Sequence, residues 1–403
     1  MPRAGWVKPE SPRRLSDVVS VGVVTRVFPP AVVDEVISGC GRTEQRHRSL
    51  PARTMAYFAI GLALHADGSY EDVLGLMTDG LAWAGTGGEA PKLPSKSAIF
   101  QARDRLGAAP VEALFARVAR PLAEEGTPGC WLAGRRLVAI DGTTLDVADT
   151  EANVTEFGRP GVNKGEQSAF PQARGVALAE CGTRAMFAAV GGAYTTGENT
   201  LAVDLVERLG PGVLLLADRG FCGYPLWDKA QATGADLLWR AKSNMKPRHV
   251  ETLADGTWIG ELRPGGNDGR TAEPHRVRVI DYTIDDGRPN DTTYRLFTTI
   301  LDPADASAVD LAAAYAQRWE IETAFDELKT HQRGARMVLR SKSPELVRQE
   351  IWGYLCCHYA IRTLLLEAAD HAAVDTDRVS FVAALRFARR SITQARDFPP
   401  SRT

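Results

Sequence analysis

The sequence lacks several features that would place it in a common protein class. Its six cysteines form no Cys-x-x-Cys pair, and we interpret them as reduced core thiols of an intracellular protein. No apolar run reaches the roughly 18 residues of a membrane helix, and the N-terminus has no apolar signal-peptide core. We find no Walker pattern and no internal repeat, which argues against nucleotide hydrolysis and a solenoid. We therefore expect a cytoplasmic protein with no membrane partner.

The chain also has no excess of charge of one sign. Its 403 residues include 48 Lys and Arg against 50 Asp and Glu, so the formal net charge is −2. This balance excludes a uniformly basic DNA-coating protein, and any nucleic-acid partner must be held by local basic patches. With 44% apolar residues, the chain can bury a large core, and its length predicts two to three domains.

Residues 1–125 are predicted to form an all-helical N-terminal domain. Helical patterns occupy residues 51–64, 70–83, 95–107 and 110–123. Ser95 is a suitable N-cap, and Gly107 a suitable helix end. The last two helices, joined by a tight turn, form either a DNA-reading helix-turn-helix or an ordinary helical hairpin. The sequence leaves both interpretations open.

The rest of the chain is predicted to be an α/β structure in three further segments. The segment 130–242 has strand patterns at 135–147, 173–180, 184–193, 212–218 and 235–242, with helices at 198–209 and 224–234. Residues 243–303 are polar and then alternate at 275–284 and 293–301, which predicts a β-rich insertion. The segment 304–403 has helical patterns at 307–331, 344–370 and 380–395. Several strands of 130–242 are apolar on both faces, as in a covered sheet.

Two aspartates are candidate functional residues because of their positions in predicted strands. Asp141 follows the apolar run 137–140, where a charged carboxylate is costly unless a metal or a partner neutralises it. Asp218 ends the strand 213–217, at the edge where open α/β sheets place their ligands. Asp141 is equally well explained as a turn former before Gly142, and Asp218 as an N-cap or an ion pair with Arg219.

Glu322 stands out because of the helix that carries it. At 100° per residue, Tyr315, Arg318, Glu322 and Lys329 share a stripe about 60° wide, beside an apolar face. A solvated helix face with an Arg318–Glu322 ion pair would show the same pattern. The spacing is more specific, since four fixed positions of this kind coincide by chance in only about a few per thousand chains of this length.

The run from Tyr315 to Lys329 matches Y-x2-R-x3-E-x6-K, and here the chain resembles the DDE transposases of bacterial insertion sequences in the YREK-signature group, insertion-sequence family four. Two further landmarks of this family occur in order, the D-G-T that begins at Asp141 and the D-R-G-F that begins at Asp218. The β-rich insertion and the helical N-terminal region also resemble the family, so the likeness covers nearly the whole chain.

The resemblance implies an RNase H-like catalytic core interrupted by the β-rich insertion. In it, Asp141, Asp218 and Glu322 would be the catalytic residues and would hold two divalent ions, Mg²⁺ or Mn²⁺. Carboxylates suit these ions, and a metal pair can assist an in-line displacement at phosphorus. Water would free a 3′-OH at the transposon end, and this hydroxyl would then attack a second phosphodiester.

The resemblance also implies the DNA contacts and partners. Tyr315, Arg318 and Lys329 would contact phosphates beside the cut, and Arg240 resembles a further phosphate-binding arginine. Arg333 and Arg336 belong to a local basic stretch from Lys329 to Lys342, which is also explained as a solvated helix end. The partners would be double-stranded DNA, namely terminal inverted repeats and target DNA, and a second copy in a synaptic homodimer. The protein would then be cytoplasmic in a bacterium and nucleoid-associated when bound to DNA.

One feature departs from the family pattern. Relatives that form hairpins place a tryptophan in the insertion, just before the strand that leads to the glutamate helix, to trap a flipped base. Here that strand carries Tyr294 and Phe297 but no tryptophan, and Trp239 and Trp258 lie earlier. Either another aromatic side chain stacks the base, or no stable hairpin forms. Two other functions stay open from the sequence: a DNA-binding protein descended from a transposase that no longer cuts, and an RNase H-like nuclease without strand transfer.

Overall fold

The computed structural model describes residues 22–46, 48–82, 94–161, 168–265, 272–283, 293–335 and 337–391. The N-terminal region is helical, as predicted. Its helices are α1 (Val23–Val27), α2 (Pro30–Gly39), α3 (Ala52–Leu64), α4 (Tyr70–Ala82), α5 (Lys96–Leu106) and α6 (Ala109–Val118). The Ser95 hydroxyl accepts a hydrogen bond from the Ala98 N–H and so caps α5, and Gly107 ends that helix at φ +72°.

One mixed sheet forms the centre of the molecule. Its strands are β1 (Trp131–Leu132), β2 (Arg135–Asp146), β3 (Gln172–Glu180), β4 (Met186–Ala193), β5 (Val213–Ala217), β6 (Asp236–Arg240), β7 (Arg248–Thr252), β8 (Trp258–Leu262), β9 (His275–Thr283) and β10 (Thr293–Thr298). The spatial order is β4-β3-β2-β5-β6-β10-β9-β8-β7, with β1 paired to β2. The helices between these strands are α7 (Glu151–Phe157), α8 (Glu198–Val206) and α9 (Tyr224–Ala232).

The strand directions are those of the expected RNase H-like core. Strands β2, β3 and β4 pair antiparallel, whereas β5 and β6 continue the sheet parallel to β2. The parallel strands are short apolar runs, because α8 and α9 cover one of their faces and the C-terminal helices cover the other. The predicted α/β class with an RNase H-like core is confirmed.

The insertion extends this sheet instead of folding as a layer of its own. Strand β10 pairs antiparallel with β6, and β9, β8 and β7 follow outward. The two alternating runs of the sequence correspond to β9 and β10, whereas β7 and β8 have no clear pattern. Every residue of β7 is exposed, so this edge strand has no alternation of apolar residues from which it could be predicted.

The C-terminal part packs the helical N-terminal region against the sheet. It consists of α10 (Ala308–Ala316), α11 (Trp319–Asp326), a π-helical turn (Glu327–Gln332), α12 (Pro344–Ala372), a short 3₁₀ turn (Thr376–Arg378) and α13 (Phe381–Ser391). Helix α12 contacts α3 and α6, and all of them share one hydrophobic core with a face of the sheet. The division into segments 1–125, 130–242, 243–303 and 304–403 stays a prediction.

Two predicted helices differ from the structure. Helix α6 ends at Val118, not at residue 123, because Pro121 disfavours a helical backbone at the residue before it. The single helix predicted for 307–331 is wrong. At Gln317 and Arg318 the backbone N–H groups bond to carbonyl groups three residues back, as in a 3₁₀ turn, and this separates α10 from α11. After α11 the helix changes to the π-helical turn. The predicted extensions to residues 83 and 395 lie outside the described residues, within which no helix is long and apolar enough to cross a membrane.

Candidate active site

Two aspartates lie side by side where the central strands leave the core. The parallel register of β2 and β5 ends with Ile140 opposite Ala217, and Asp141 and Asp218 are the next residues on the two strands. Neighbouring strands are about 4.8 Å apart, so this register brings together carboxylates that are 77 positions apart in the sequence.

The carboxyl group of Asp141 is held in a strongly perturbed environment. Burial raises its pKa to about 6, and the nearby charges of Asp218 and Glu322 act in the same direction, against the Gly142 N–H and Arg318. The Gly142 N–H donates a 2.8 Å hydrogen bond to Oδ1. A carboxylate whose charge is this costly is suited to accept a cation.

Glycines account for the two short motifs around these aspartates. The Gly220 N–H donates a 2.7 Å hydrogen bond to Oδ1 of Asp218, and a Cβ at Gly220 would lie 2.9 Å from that oxygen. A Cβ at Gly142 would lie 2.5 Å from Cδ of Glu198, at the start of α8. In the D-R-G sequence, Gly220 therefore allows the turn that holds Asp218, whereas Asp141 and Gly142 lie within β2, where Gly142 leaves room for the Glu198 side chain.

Glu322 faces these aspartates from α11, and the Arg318 guanidinium contacts both Glu322 and Asp141. The Arg318 guanidinium donates a 2.7 Å hydrogen bond from Nη2 to Oε1 of Glu322, and its Nη1 lies 3.5 Å from Oδ2 of Asp141. Arg318 is 7% exposed. Burial lowers its pKa, but the hydrogen bond to Glu322 and the surrounding negative charge outweigh burial, so the net pKa is raised.

Lys329 and Tyr315 also lie at this site. The Lys329 ammonium donates a 3.1 Å hydrogen bond to the Thr143 hydroxyl, two residues beyond Asp141 on β2. Burial, followed by the charge of Arg333, lowers the pKa of Lys329. Tyr315 is 7% exposed, and burial raises the pKa of its hydroxyl. The charge of Asp218 also raises this pKa, whereas the charges of Arg318 and Arg240 lower it. The grouping predicted from a regular helical wheel is therefore present, although the helix is not regular.

Arg240 lies at the end of β6, beside a wide basic cavity. The cavity has a volume of about 580 Å³, and its lining includes Arg219, Arg240, Lys242 and Arg295. The Arg240 guanidinium lies 4.3 Å from the centre of the Tyr294 ring. This arrangement provides positive charge next to Asp218.

The basic stretch that follows Lys329 is less open than its sequence suggests. Arg333 is 7% exposed, and burial lowers its pKa. The Arg340 guanidinium donates hydrogen bonds to the carbonyl oxygens of Gly68 and Ala66, at 2.6 and 2.9 Å. Arg336 lies outside the described residues. The interpretation of this stretch as a solvated helix end is wrong for Arg333 and Arg340.

The donor set suits a divalent cation, although the ligands are not arranged around one. No three His, Cys, Asp or Glu side chains within the described part of the chain form a ready metal site. Asp141, Asp218 and Glu322 nevertheless interact electrostatically, and the Arg318 guanidinium supplies positive charge between two of them. Carboxylate oxygens are the hard ligands that Mg²⁺ and Mn²⁺ prefer, and three carboxylates close together concentrate the negative charge that attracts such an ion.

Trp319 was missed by the sequence reasoning. Its side chain is 60% exposed, and the Arg318 guanidinium lies 5.0 Å from the ring centre. The signal available in the sequence was a tryptophan directly after the arginine of the motif, which a helical wheel assigns to neither the apolar face nor the polar stripe. An exposed tryptophan beside the carboxylates is a base-stacking candidate.

Comparisons with known proteins agree with this geometry. The family model described as "Transposase DDE domain" matches residues 132–360, and the model "Insertion element 4 transposase N-terminal" matches residues 18–116. The transposase InsG for insertion sequence element IS4 of Escherichia coli (strain K12) is 27% identical over 344 residues, which cover 85% of this chain and 76% of that protein.

Two further matches are shorter or more distant. The putative transposase InsZ of Escherichia coli (strain K12) is 32% identical over 148 residues, which cover 36% of this chain and 49% of that protein. A solved piggyBac transposase synaptic complex with hairpin DNA matches with a TM-score of 0.48 and 12% identity, over 93% of this chain and 80% of that one. Because the DDE model spans more than half of the residues and the second model spans the helical start, the chain belongs to the insertion element 4 type of DDE transposases, which cut and join DNA in a metal-dependent reaction.

Proposed function

We propose that Asp141, Asp218 and Glu322 are the catalytic carboxylates of this transposase and that together they hold two divalent metal ions. The observation that carries this proposal is the Arg318 guanidinium, which contacts Asp141 and Glu322 beside Asp218. A cation is already required to keep these carboxylates close together, because like charges at this spacing repel. When Mg²⁺ or Mn²⁺ is bound, it supplies Lewis-acid stabilisation of charge at the reacting phosphate.

Three other side chains of the site are proposed to position the DNA through contacts with its phosphates. Glu322 would hold the metal with the carboxylate that now accepts the Arg318 hydrogen bond, and the Arg318 guanidinium would then be available to a phosphate oxygen. Lys329 is held beside Asp141 through Thr143, at the place where the backbone next to the cut would pass. Tyr315 is a proposed third contact at the phosphate, held close to Arg318 by burial.

The basic cavity extends this surface along the insertion. Arg240 and Lys242 line it beside Arg219, and we assign them to backbone phosphates one or two nucleotides from the cut. Arg295 is already paired with Asp281 at 2.7 Å. Arg333 and Arg336 remain proposed DNA contacts, and the burial of Arg333 argues against an easy phosphate contact at that residue.

Base stacking is proposed for Trp319, with Tyr294 as the second aromatic. Tyr294 stacks on Tyr282 with 5.4 Å between ring centres, and Arg240 covers the Tyr294 ring. Trp319 is 60% exposed, so it is free to stack on a base without disturbing the core. Trp319 of α11 would then take the place of the tryptophan that relatives carry before the Glu322 helix, and a hairpin intermediate stays compatible with the sequence.

Similarity to the family supports a proposal for the larger assembly. The proposed substrates are double-stranded terminal inverted repeats and target DNA, brought together by a homodimer in a synaptic complex. The proposed location is the bacterial cytoplasm, with nucleoid association when DNA is bound. The exposed face of α5, which includes Phe100 and Arg105, is a proposed DNA-contacting surface of the N-terminal region.

Incubation of the purified protein with Mg²⁺ and duplex DNA that carries the repeats flanking its gene tests the proposal. We expect nicks at the repeat ends and then joined products. Glu322→Gln should retain DNA binding and lose both products. The matched control is Asp326→Asn, because Asp326 is on the same helix and its side chain is 59% exposed. Normal cutting by Glu322→Gln would refute the assignment, and cutting without joining would favour a simple nuclease.

A further inference from the structure

Arg184 occupies a strained turn behind the helix that carries Glu322. It lies between β3 and β4 and has φ +56°, a left-handed conformation that non-glycine residues rarely adopt. Such a conformation costs about 1–3 kcal/mol and persists only where the surroundings hold it in place. The turn is fixed by Glu180, which accepts a 2.6 Å hydrogen bond from the Thr183 hydroxyl.

The Arg184 guanidinium binds carboxylates from three different elements. It donates hydrogen bonds of 2.5 and 3.3 Å to the two oxygens of Glu320, on α11. It also donates a 2.6 Å hydrogen bond to Asp377, in the 3₁₀ turn, and lies 3.6 Å from Glu327, in the π-turn. Arg184 is 17% exposed in its side chain, and Glu320 is 14% exposed. A planar guanidinium matches this geometry fully, whereas an ammonium group keeps the positive charge but has no fork of donors.

The two glutamates that Arg184 contacts are each two residues before a residue of the site. Glu320 precedes Glu322 by two residues, and Glu327 precedes Lys329 by two residues. Two residues correspond to roughly half a turn of helix, so Arg184 contacts the back of the segment whose front faces β2. Its contacts therefore set the rotation of the segment about its own axis.

Glu327 is held from a second side as well. The His358 Nε2 lies 3.1 Å from its Oε2, and Arg362 pairs with its Oε1. Both partners are on α12, so the π-turn is fixed between α12 and the β3–β4 turn. A π-turn widens the helix locally and is often found at functional sites. Here it carries Lys329 into contact with Thr143.

We propose that Arg184 is a positioning residue for DNA cutting, because it fixes the rotation of the helical segment that presents Glu322 and Lys329. This inference rests on the proposed role of Glu322. Arg184 does not touch the three carboxylates of the site, and it acts through Glu320 and Glu327.

The test measures single-turnover cutting of saturating repeat-end DNA, together with DNA affinity, for Arg184→Gln, Arg184→Lys and Glu320→Gln. A displacement of about 1 Å in a catalytic group can cost about 100-fold in rate. We expect the cutting rate to fall by about 10- to 100-fold in Arg184→Gln and Glu320→Gln, with DNA affinity unchanged within about twofold. Arg184→Lys should recover part of the rate, and the Mn²⁺ concentration for half-maximal cutting should rise in all three variants.

The control is Arg135→Gln, which breaks a pair of similar burial. Arg135 bonds Asp236 at 2.5 Å, and the two side chains are 22% and 29% exposed. It lies at the start of β2, roughly 20 Å along the strand from Asp141. At a temperature where all variants are folded, Arg135→Gln should cut at the wild-type rate.

Cutting by Glu320→Gln at the rate of this control would overturn the inference, whether or not the Arg184 variants fold. Glu322→Gln separates this failure from that of the proposed function. If Glu322→Gln is inactive while Glu320→Gln and Arg184→Gln cut normally, only the role of Arg184 is lost. If Glu322→Gln itself cuts normally, the proposed function has failed.

Discussion

Arg318 Nη1 lies 3.5 Å from Oδ2 of Asp141, and this contact joins the irregular C-terminal helical segment to the central strand. The same guanidinium bonds Glu322. In the absence of a metal ion, Arg318 therefore offsets part of the repulsion between the carboxylates. A divalent ion has to compete with this internal cation, and the competition is measurable.

Removing the internal cation should make the protein respond more strongly to metal. In Arg318→Ala the carboxylates have no guanidinium partner, so Mg²⁺ should bind more tightly and raise the Tm further than in the wild type. A tenfold gain in affinity corresponds to about 1.4 kcal/mol. Thermal melts across a Mg²⁺ titration check this, with Arg295→Ala as the control because Arg295 pairs with Asp281 instead. An equal Mg²⁺ response in wild type and Arg318→Ala would contradict the competition.

The raised pKa of Asp141 predicts the direction of a pH effect in the metal-free protein. The pKa is about 6 in the folded state against an ordinary value of 3.8 for an aspartate, so the folded protein binds more protons between these values. The free energy of unfolding should therefore fall as pH rises from about 4 to about 6, by on the order of 2–3 kcal/mol from this group.

Denaturant unfolding in EDTA at pH 4.5 and pH 7 provides the measurement. The fall in unfolding free energy between the two pH values should be smaller in Asp141→Asn than in the wild type, because the amide does not titrate. The difference between the two proteins cancels the other titrating groups. An identical pH dependence would show that Asp141 is not desolvated.

The sequence predicted the parts of the fold that local pattern determines. The apolar runs of β2 and β5 identified the central strands, and the spacing from Tyr315 to Lys329 identified the motif. The contact between Arg318 and Asp141 joins residues 177 positions apart, and no local pattern encodes it. The π-turn and the left-handed Arg184 depend in the same way on tertiary partners, and the exposed strand β7 has no apolar alternation.

Lys329 should contribute one phosphate contact. Lys329→Met should weaken binding of repeat-end DNA and reduce the slope of log K against log salt by about 0.9, because one fewer counterion is released. Binding isotherms from 50 to 300 mM salt check this. Lys229→Met is the control, since Lys229 is an exposed residue of α9 paired with Glu207. A slope unchanged from the wild type would rule out a phosphate contact by Lys329.

Trp319 should stack on a base that leaves the duplex. Stacking on an aromatic side chain is worth about 1–3 kcal/mol per base, and a stacked 2-aminopurine is quenched. With 2-aminopurine at the terminal base pairs, complex formation should change its fluorescence in the wild type and not in Trp319→Ala. Phe387→Ala is the control, because Phe387 is similarly exposed, at 52%, on α13. If Tyr294→Ala removes the signal and Trp319→Ala does not, the stacking residue is Tyr294.

Gly353 should stabilise the packing of the N-terminal region on the C-terminal part. A Cβ at this position of α12 would lie 2.5 Å from the carbonyl oxygen of Ala59, on α3, and a backbone atom cannot move aside as a flexible side chain would. Alanine gains up to about 1 kcal/mol in helix propensity over glycine, whereas overpacking costs about 1–3 kcal/mol. We expect Gly353→Ala to lower the free energy of unfolding by about 1–2 kcal/mol, measured by denaturant unfolding. The control is Gly39→Ala in α2, where no atom lies within 4 Å of the added Cβ, so only the propensity gain should be observed there. A stabilising Gly353→Ala would mean that α3 and α12 are farther apart than described.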